Sequence, residues 1–313
     1  MPNLEKIKIK KIVNFFSYTI FLIYIFILYL YREKIFEGFE SINSINNRLL
    51  IVIICLIIAS IFIKGIKFAL VNSFFGLREI QKTIVIFCSS FFLCLAPGKL
   101  VELYRVKLIS EQKNSSLPKS IYINIFDKFT DFICLGIYGI IGLILFLPNL
   151  LKIIIIEKIY LMILIAILII FFIGIIVYLL LKKISEKLKK ILSLISNKKR
   201  NLLIILLFTF IGWAQEIISF YYLFSVLVNT NLEFYLITSF YTVANVMGGF
   251  IPLPAGAIGF EGTLIYLLSH YLPISTLASI IFIHRTTVIG TTFFTGFLFF
   301  FYKKIINFYK TNI

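Results

Sequence analysis

Apolar runs long enough to cross a bilayer recur along the whole chain, at about 12–31, 49–75, 83–97, 121–147, 158–181, 202–228, 234–251 and 274–302. As a helix, a run of about 20 apolar residues spans the roughly 30 Å hydrocarbon core. Inside lipid every backbone polar group must find its partner within the protein, so these runs demand helices. With 60% hydrophobic residues and a mean hydropathy of +1.03, a soluble domain is excluded. No polar stretch is long enough to form a separate one. Residues 1–313 therefore read as a single membrane domain, and its chemistry falls to membrane helices and short loops.

The net charge is +17. In a soluble protein that would raise nucleic acid as a partner. Here the Lys and Arg residues gather in short loops between apolar runs, which makes them a topology signal and an attraction to anionic lipid. Cys55, Cys88, Cys94 and Cys134 lie within apolar segments and show no metal-ligand or redox spacing, so they read as small buried hydrophobes. Lys6, Lys8, Lys10 and Lys11 ahead of 12–31 mimic a signal peptide. The apolar run is too long and lacks a small-residue cleavage site, so it reads as a retained first span.

Two stretches break the apolar pattern: Ala96-Pro97-Gly98-Lys99-Leu100-Val101-Glu102-Leu103-Tyr104-Arg105, and Pro252-Leu253-Pro254-Ala255-Gly256-Ala257-Ile258-Gly259-Phe260-Glu261-Gly262. Such breaks persist at membrane depth only when buried in protein or lining a wet cavity. Loop charge then fixes the crossings. The lysines of the N-terminus, of the 182–200 loop and of the C-terminus (Lys303, Lys304, Lys310) put all three in the cytoplasm. Span 158–181 must end inside, so 121–147 runs outward and 83–110 must start and end inside. By the same count 234–271 starts and ends outside. Both read as re-entrant helical hairpins. The expected fold is an all-α polytopic membrane protein with six spanning helices, two re-entrant hairpins and an inverted-topology repeat, 12–147 against 158–302.

Ionisable residues at bilayer depth are costly and mark functional positions. Glu102 and Arg105, at i, i+3, can share a helix face and pair, with Lys99 beside them. Asn124, Asp127 and Asp131 form one polar stripe, with Lys128 one residue around. His284, Thr287, Thr291 and Thr295 form another, with Arg285 alongside. Glu261 falls in the first turn of a half-helix starting near Gly259, whose amide ends favour an anion. Pro97, Gly98, Pro252, Pro254, Gly256 and Gly259 shape the breaks. Glu216, near the middle of 202–228, is expected to contact Lys64 or Lys67, near the middle of 49–75.

Pro97-Gly98, Glu102 and Arg105, then Asp127-Lys128 and Asp131, the Pro-Leu-Pro-Ala-Gly…Gly-Phe-Glu-Gly run and His284-Arg285 together resemble the lysylphosphatidylglycerol synthase transmembrane, or flippase-like, family, over nearly the whole chain. The resemblance implies a role in moving lipids between leaflets. Some relatives add a soluble aminoacyl-transferase or glycosyltransferase domain. Neither is present in this sequence, which argues against synthase activity. The chain departs from the pattern at Lys128, where arginine is usual, and lysine lacks the planar donor fork that grips a phosphate.

The function expected is a lipid flippase or transporter of the cell membrane, multi-pass with both termini cytoplasmic, carrying a polar-headgroup lipid or lipid-linked precursor. It needs no catalytic residue, metal or cofactor. The headgroup path is expected to involve Lys99, Glu102, Arg105, Asp127, Lys128, Asp131, Glu261, His284 and Arg285. The partners expected are the membrane lipid itself, a second copy of the chain, or a separately encoded synthase. The alternatives are a membrane enzyme acting on a lipid or lipid-linked sugar, with Asp127 and Asp131 as bases or metal ligands, and a membrane partner of a separately encoded synthase.

Overall fold

The structure is a computed structural model that describes residues 33, 47–95, 100–112, 115–153, 199–228, 232–250, 256 and 258–311. The expected spans 12–31 and 158–181, nearly all of the basic 182–200 loop, and Pro97, Gly98, Lys99, Pro252 and Pro254 lie outside the described residues. What is described is helical: α1 (Asn47–Phe74), α2 (Ile80–Ser90) running into a 3₁₀ turn (Phe91–Leu93), α3 (Leu100–Ser110), α4 (Leu117–Ile153), α5 (Lys199–Leu227), α6 (Phe234–Phe250), α7 (Gly259–Leu268) and α8 (Ile274–Thr311). Among the described residues, three helices are long and apolar enough to cross a membrane: Asn47–Phe74, Arg200–Leu227 and Ile274–Tyr302. The chain is a membrane-embedded helical protein.

Both sequence breaks fall between short helices. The first separates α2 and its 3₁₀ turn from α3, and the second separates α6 from α7. In each case the two flanking helices pack on each other. The 3₁₀ turn ends the first arm at Leu93, a little before the 83–97 run ends. In the second break, Gly256 has φ +71° and Ile258 has φ 68°. The left-handed region is cheap for glycine and strained for a β-branched residue. A Cβ on Gly256 would lie 2.7 Å from the Gly248 carbonyl oxygen, so the chain folds back onto the end of α6 at a glycine–glycine contact. α1 ends in a Schellman motif. Gly76 at φ +84° lets Leu77 N–H donate to Asn72 O and Gly76 N–H to Ser73 O, both at 2.9 Å.

The long helices cross-pack between the two halves of the chain. α1 lies against α5, α2 and its 3₁₀ turn against α8, and α6 against α4. Glycines set the last two contacts. A Cβ on Gly296 of α8 would strike the Phe91–Phe92 backbone, and one on Gly142 of α4 would strike Ser239 and the Tyr235 carbonyl of α6. Both crossings are antiparallel. Gly139 meets Thr242 while Gly142 meets Ser239, and Phe92 packs on Phe300 and Phe297 while Cys94 reaches Ile289. α1 also runs opposite to α4, with Lys67 beside Asp131 and Phe74 stacked on Phe126. Cys88 and Cys134 are buried and Cys94 is half-buried, as expected, but Cys55 faces outward from α1.

Candidate functional site

Where α1, α4 and α5 converge, a set of charges is buried among them. Lys67, 1% exposed, extends from α1 toward α4. Its ammonium donates to the Asp127 carbonyl oxygen at 2.8 Å and to Asp131 Oδ1 at 3.0 Å, and lies 2.6 Å from Asp127 Oδ1. An ammonium has three donors, and here each has an oxygen close by. Asp131 Oδ1 also accepts from Trp213 Nε1 of α5 at 3.0 Å. The Lys64 ammonium sits 3.4 Å from the centre of the same indole and pairs with Glu216 Oε1 at 2.7 Å. Ser60 Oγ lies 2.9 Å from the Gly212 carbonyl oxygen and 3.1 Å from Glu216 Oε1. Trp213 therefore joins two ion networks, one between α1 and α4 and one between α1 and α5.

The expected Glu216 contact forms with Lys64, while Lys67 turns to α4 instead. The Asp127–Asp131 stripe, one helical turn long, faces the bundle interior. Asn124, one turn earlier, is half-buried, and its Oδ1 has no partner among the described residues. Lys128 projects from another side of α4 and is about half exposed. It pairs with Glu102 at 3.2 Å.

That contact replaces the expected Glu102–Arg105 pair. On α3, Glu102 reaches outward to Lys128, while Arg105 is buried at 1% exposure between Phe87, Phe91 and Phe68. Arg105 Nε and Nη2 donate to Ser90 Oγ at 3.3 and 3.1 Å, and Nη1 stands 3.9 Å from Asp127 Oδ2. Three phenyl rings around a guanidinium favour the cation, and tertiary packing has overridden the local i, i+3 geometry.

The C-terminal part holds a second ion pair between a short helix and the longer helix after it. Arg285 of α8 donates from Nε to Glu261 Oε1 of α7 at 2.8 Å, and its guanidinium lies 4.5 Å from the Phe260 ring centre. So α7 brings an anion to a cation on α8, as α3 brings Glu102 to Lys128 of α4. Gly259 opens α7, which puts Glu261 in its first turn as the sequence suggests. Glu261 Oε2 is buried without a hydrogen bond among the described residues.

His284 is buried in a box of Phe220, Tyr241 and Ser219. Ser219 Oγ donates to the Glu216 carbonyl oxygen at 2.7 Å. It is then the acceptor of the 3.2 Å contact with His284 Nε2, which places the proton on Nε2 and leaves Nδ1 a buried acceptor with no partner among the described residues. Of the threonines in that stripe, Thr287 and Thr295 bond back to their own helix at 2.8 Å, the cheap arrangement for a membrane helix.

Among the described residues, no three His, Cys, Asp or Glu side chains stand together closely enough to hold a metal ion. Sequence reading missed Ser60, Ser90 and Trp213. The tryptophan is the sole one in the chain and sits one turn from Glu216 in an otherwise apolar helix, a signal that could have been used.

The sequence model of the lysylphosphatidylglycerol synthase TM region matches residues 14–296, and the chain belongs to that family. Membership ties this membrane protein to lipid metabolism or lipid flipping. Comparison with the curated proteins returns no match.

Proposed function

We propose that the chain is a lipid translocase, not an enzyme, that moves a polar-headgroup phospholipid or lipid-linked precursor between the leaflets of the cell membrane. The observation that carries this reading is the buried charge set. Lys64, Lys67, Arg105 and Arg285 stand against Glu216, Asp127, Asp131 and Glu261, four cations with four carboxylates, on helices of membrane length and on the short helices beside the breaks. Charges in hydrocarbon are expensive and are retained where they serve a path. A lining of both signs lets a headgroup exchange one partner for another without meeting bare hydrocarbon.

In this reading six helices span the membrane, the segments 83–110 and 234–271 are re-entrant hairpins entering from opposite faces, and both termini are cytoplasmic. The exchanged packing, α2 on α8 and α6 on α4, supports an inverted repeat of 12–147 and 158–302. So do the paired glycine approaches at Gly142 and Gly296 and the ion pairs Glu102–Lys128 and Glu261–Arg285, each joining the short helix after a break to the helix that follows it.

The test is reconstitution in liposomes with a labelled phospholipid accessible from one leaflet. Transbilayer movement that falls to the protein-free rate in D131N and E261Q supports translocation. A chemically altered lipid with unchanged leaflet distribution would instead make the chain an enzyme.

A further inference from the structure

The polar groups of the bundle interior are satisfied unevenly. On the half of α4 beyond Asp131, the polar side chains each reach a carbonyl oxygen. Tyr138 donates to that of Phe210 at 3.0 Å, and Cys134 Sγ lies 3.9 Å from that of Leu206. Facing them on α6, Ser239 and Thr242 donate to the carbonyl oxygens of Tyr235 and Ser239, both at 2.9 Å. Toward the other end of the α1–α4 crossing, the accounts differ. Asn72 of α1 is fully buried. Its amide nitrogen donates to the Phe68 carbonyl oxygen at 2.8 Å, and its Oδ1 has no hydrogen bond among the described residues. Asn124 Oδ1 on α4 is in the same condition. The two helices run antiparallel, with Lys67 against Asp127 and Phe74 against Phe126. Asn72 and Asn124 therefore fall in one layer, within about a turn of each other along the bundle.

The same layer holds three phenyl rings. Phe74 stacks on Phe126 at 5.6 Å between ring centres, and Phe75 meets the two edge-on at 5.5 and 5.6 Å. α1 ends directly after them, at the Gly76 turn. A buried acceptor without a donor forfeits the hydrogen bond it would make in water, so this layer is costly to keep dry. An apolar constriction excludes water when closed and wets when it widens. The half of α4 beyond Asp131 has no such cost to relieve, and Gly142 holds it directly against α6. We propose that Phe74, Phe75 and Phe126 form a gate between the bulk solution at this end and the buried charges, and that its opening brings water to Asn72 and Asn124 and then to Asp127 and Lys67. The structure holds the gate shut. In the topology of the translocase reading this end is cytoplasmic, and the assignment of side rests on that reading.

The experiment places a cysteine behind the gate in the full chain, in membrane vesicles, and adds a charged, membrane-impermeant methanethiosulfonate to one side at a time. The sites are N124C and, one turn nearer the end of α4, S120C, with the unsubstituted protein and its four native cysteines as the blank. A charged reagent needs water to reach a thiol and reacts with its ionised form. N124C is expected to react slowly and from the cytoplasmic side only. Adding F126A, or F126L where F126A does not fold, is expected to raise that rate about tenfold or more. T242C, at the α4–α6 contact, is expected to stay protected in both backgrounds. No reaction at N124C or S120C, reaction from both sides alike, an unchanged rate in the Phe126 variants, or equal acceleration at T242C overturns the gate. Reaction from the outer side alone keeps the gate and overturns the assignment of side. Gated labelling in a protein that moves no phospholipid in liposomes sinks the translocase reading and leaves the gate standing.

Discussion

Lys64 of α1 and Glu216 of α5 meet at 2.7 Å, with the ammonium also 3.4 Å from the centre of the Trp213 ring. This pair lies at the contact between the two helices that open the two halves of the described bundle. Gly212 allows the approach, since a Cβ there would come within 3.0 Å of Lys64 Cγ. Removing one member leaves the other charge without its partner. Breaking a buried pair costs about 3–5 kcal/mol, and the partial exposure of both side chains here brings the expectation down to about 2 kcal/mol. K64E and E216K should each lower the unfolding midpoint in detergent, and the double variant should recover most of the loss. Failure of the double variant to recover would mean that the pair does not hold α1 to α5.

Lys67 answers two carboxylates at once, so its loss should be more severe. K67M takes from Asp127 and Asp131 the ammonium they share, and about 3–5 kcal/mol of stability should go with it. K67M combined with D127N and D131N removes the uncompensated charge and should fold more stably than K67M alone. The comparison separates the two roles of the cluster. If it serves only structure, the neutral triple variant regains function with stability. If it serves the headgroup path, stability returns and transbilayer movement does not.

The glycine contacts give a prediction independent of charge. G142A places a methyl group against Ser239 and the Tyr235 carbonyl, and G296A places one against the Phe91–Phe92 backbone. Each should cost about 1–3 kcal/mol, the usual penalty of overpacking. Gly136 and Gly290 lie on the same two helices, where an added Cβ would meet nothing within 4 Å. G136A and G290A should be neutral or stabilising by up to about 1 kcal/mol, since alanine is the better helix former. Thermal unfolding of the four variants checks the contrast, and equal behaviour of all four would remove the case for close helix approach at Gly142 and Gly296.

The sequence was most legible where local chemistry decides. Pro97-Gly98 and the Pro252 to Gly259 run locate both breaks, because lipid does not tolerate freed backbone groups, and α3 and α7 begin just beyond them. The period of Asp127 and Asp131 puts both on one side of α4 wherever that helix docks. What sequence could not supply is which helix each charge faces. Glu102 and Arg105 share a face by spacing, yet Arg105 turns to Ser90 and three phenyl rings while Glu102 turns to Lys128. Lys67 and Lys64, three residues apart, serve different helices. Those choices come from packing between segments distant in the chain, and a single sequence carries no period for them.

Trp213 makes the junction of the two networks measurable, because the chain has only one tryptophan. Its indole N–H is bound to Asp131 Oδ1 at 3.0 Å, and its face lies under Lys64. W213F keeps a weaker cation–π contact and cannot donate a hydrogen bond. It should cost about 1–3 kcal/mol, because Asp131 is left one donor short while buried. With tryptophan retained, D131N should shift the emission maximum of the protein, since a charged acceptor beside the indole N–H is replaced by a neutral one. K64M should shift it separately by removing the cation over the ring. If the two networks act as one unit, the D131N and K64M stability losses will not add, and a double-mutant cycle will return a coupling of about 0.5–3 kcal/mol. Strict additivity would leave Trp213 a packing residue that touches two independent pairs.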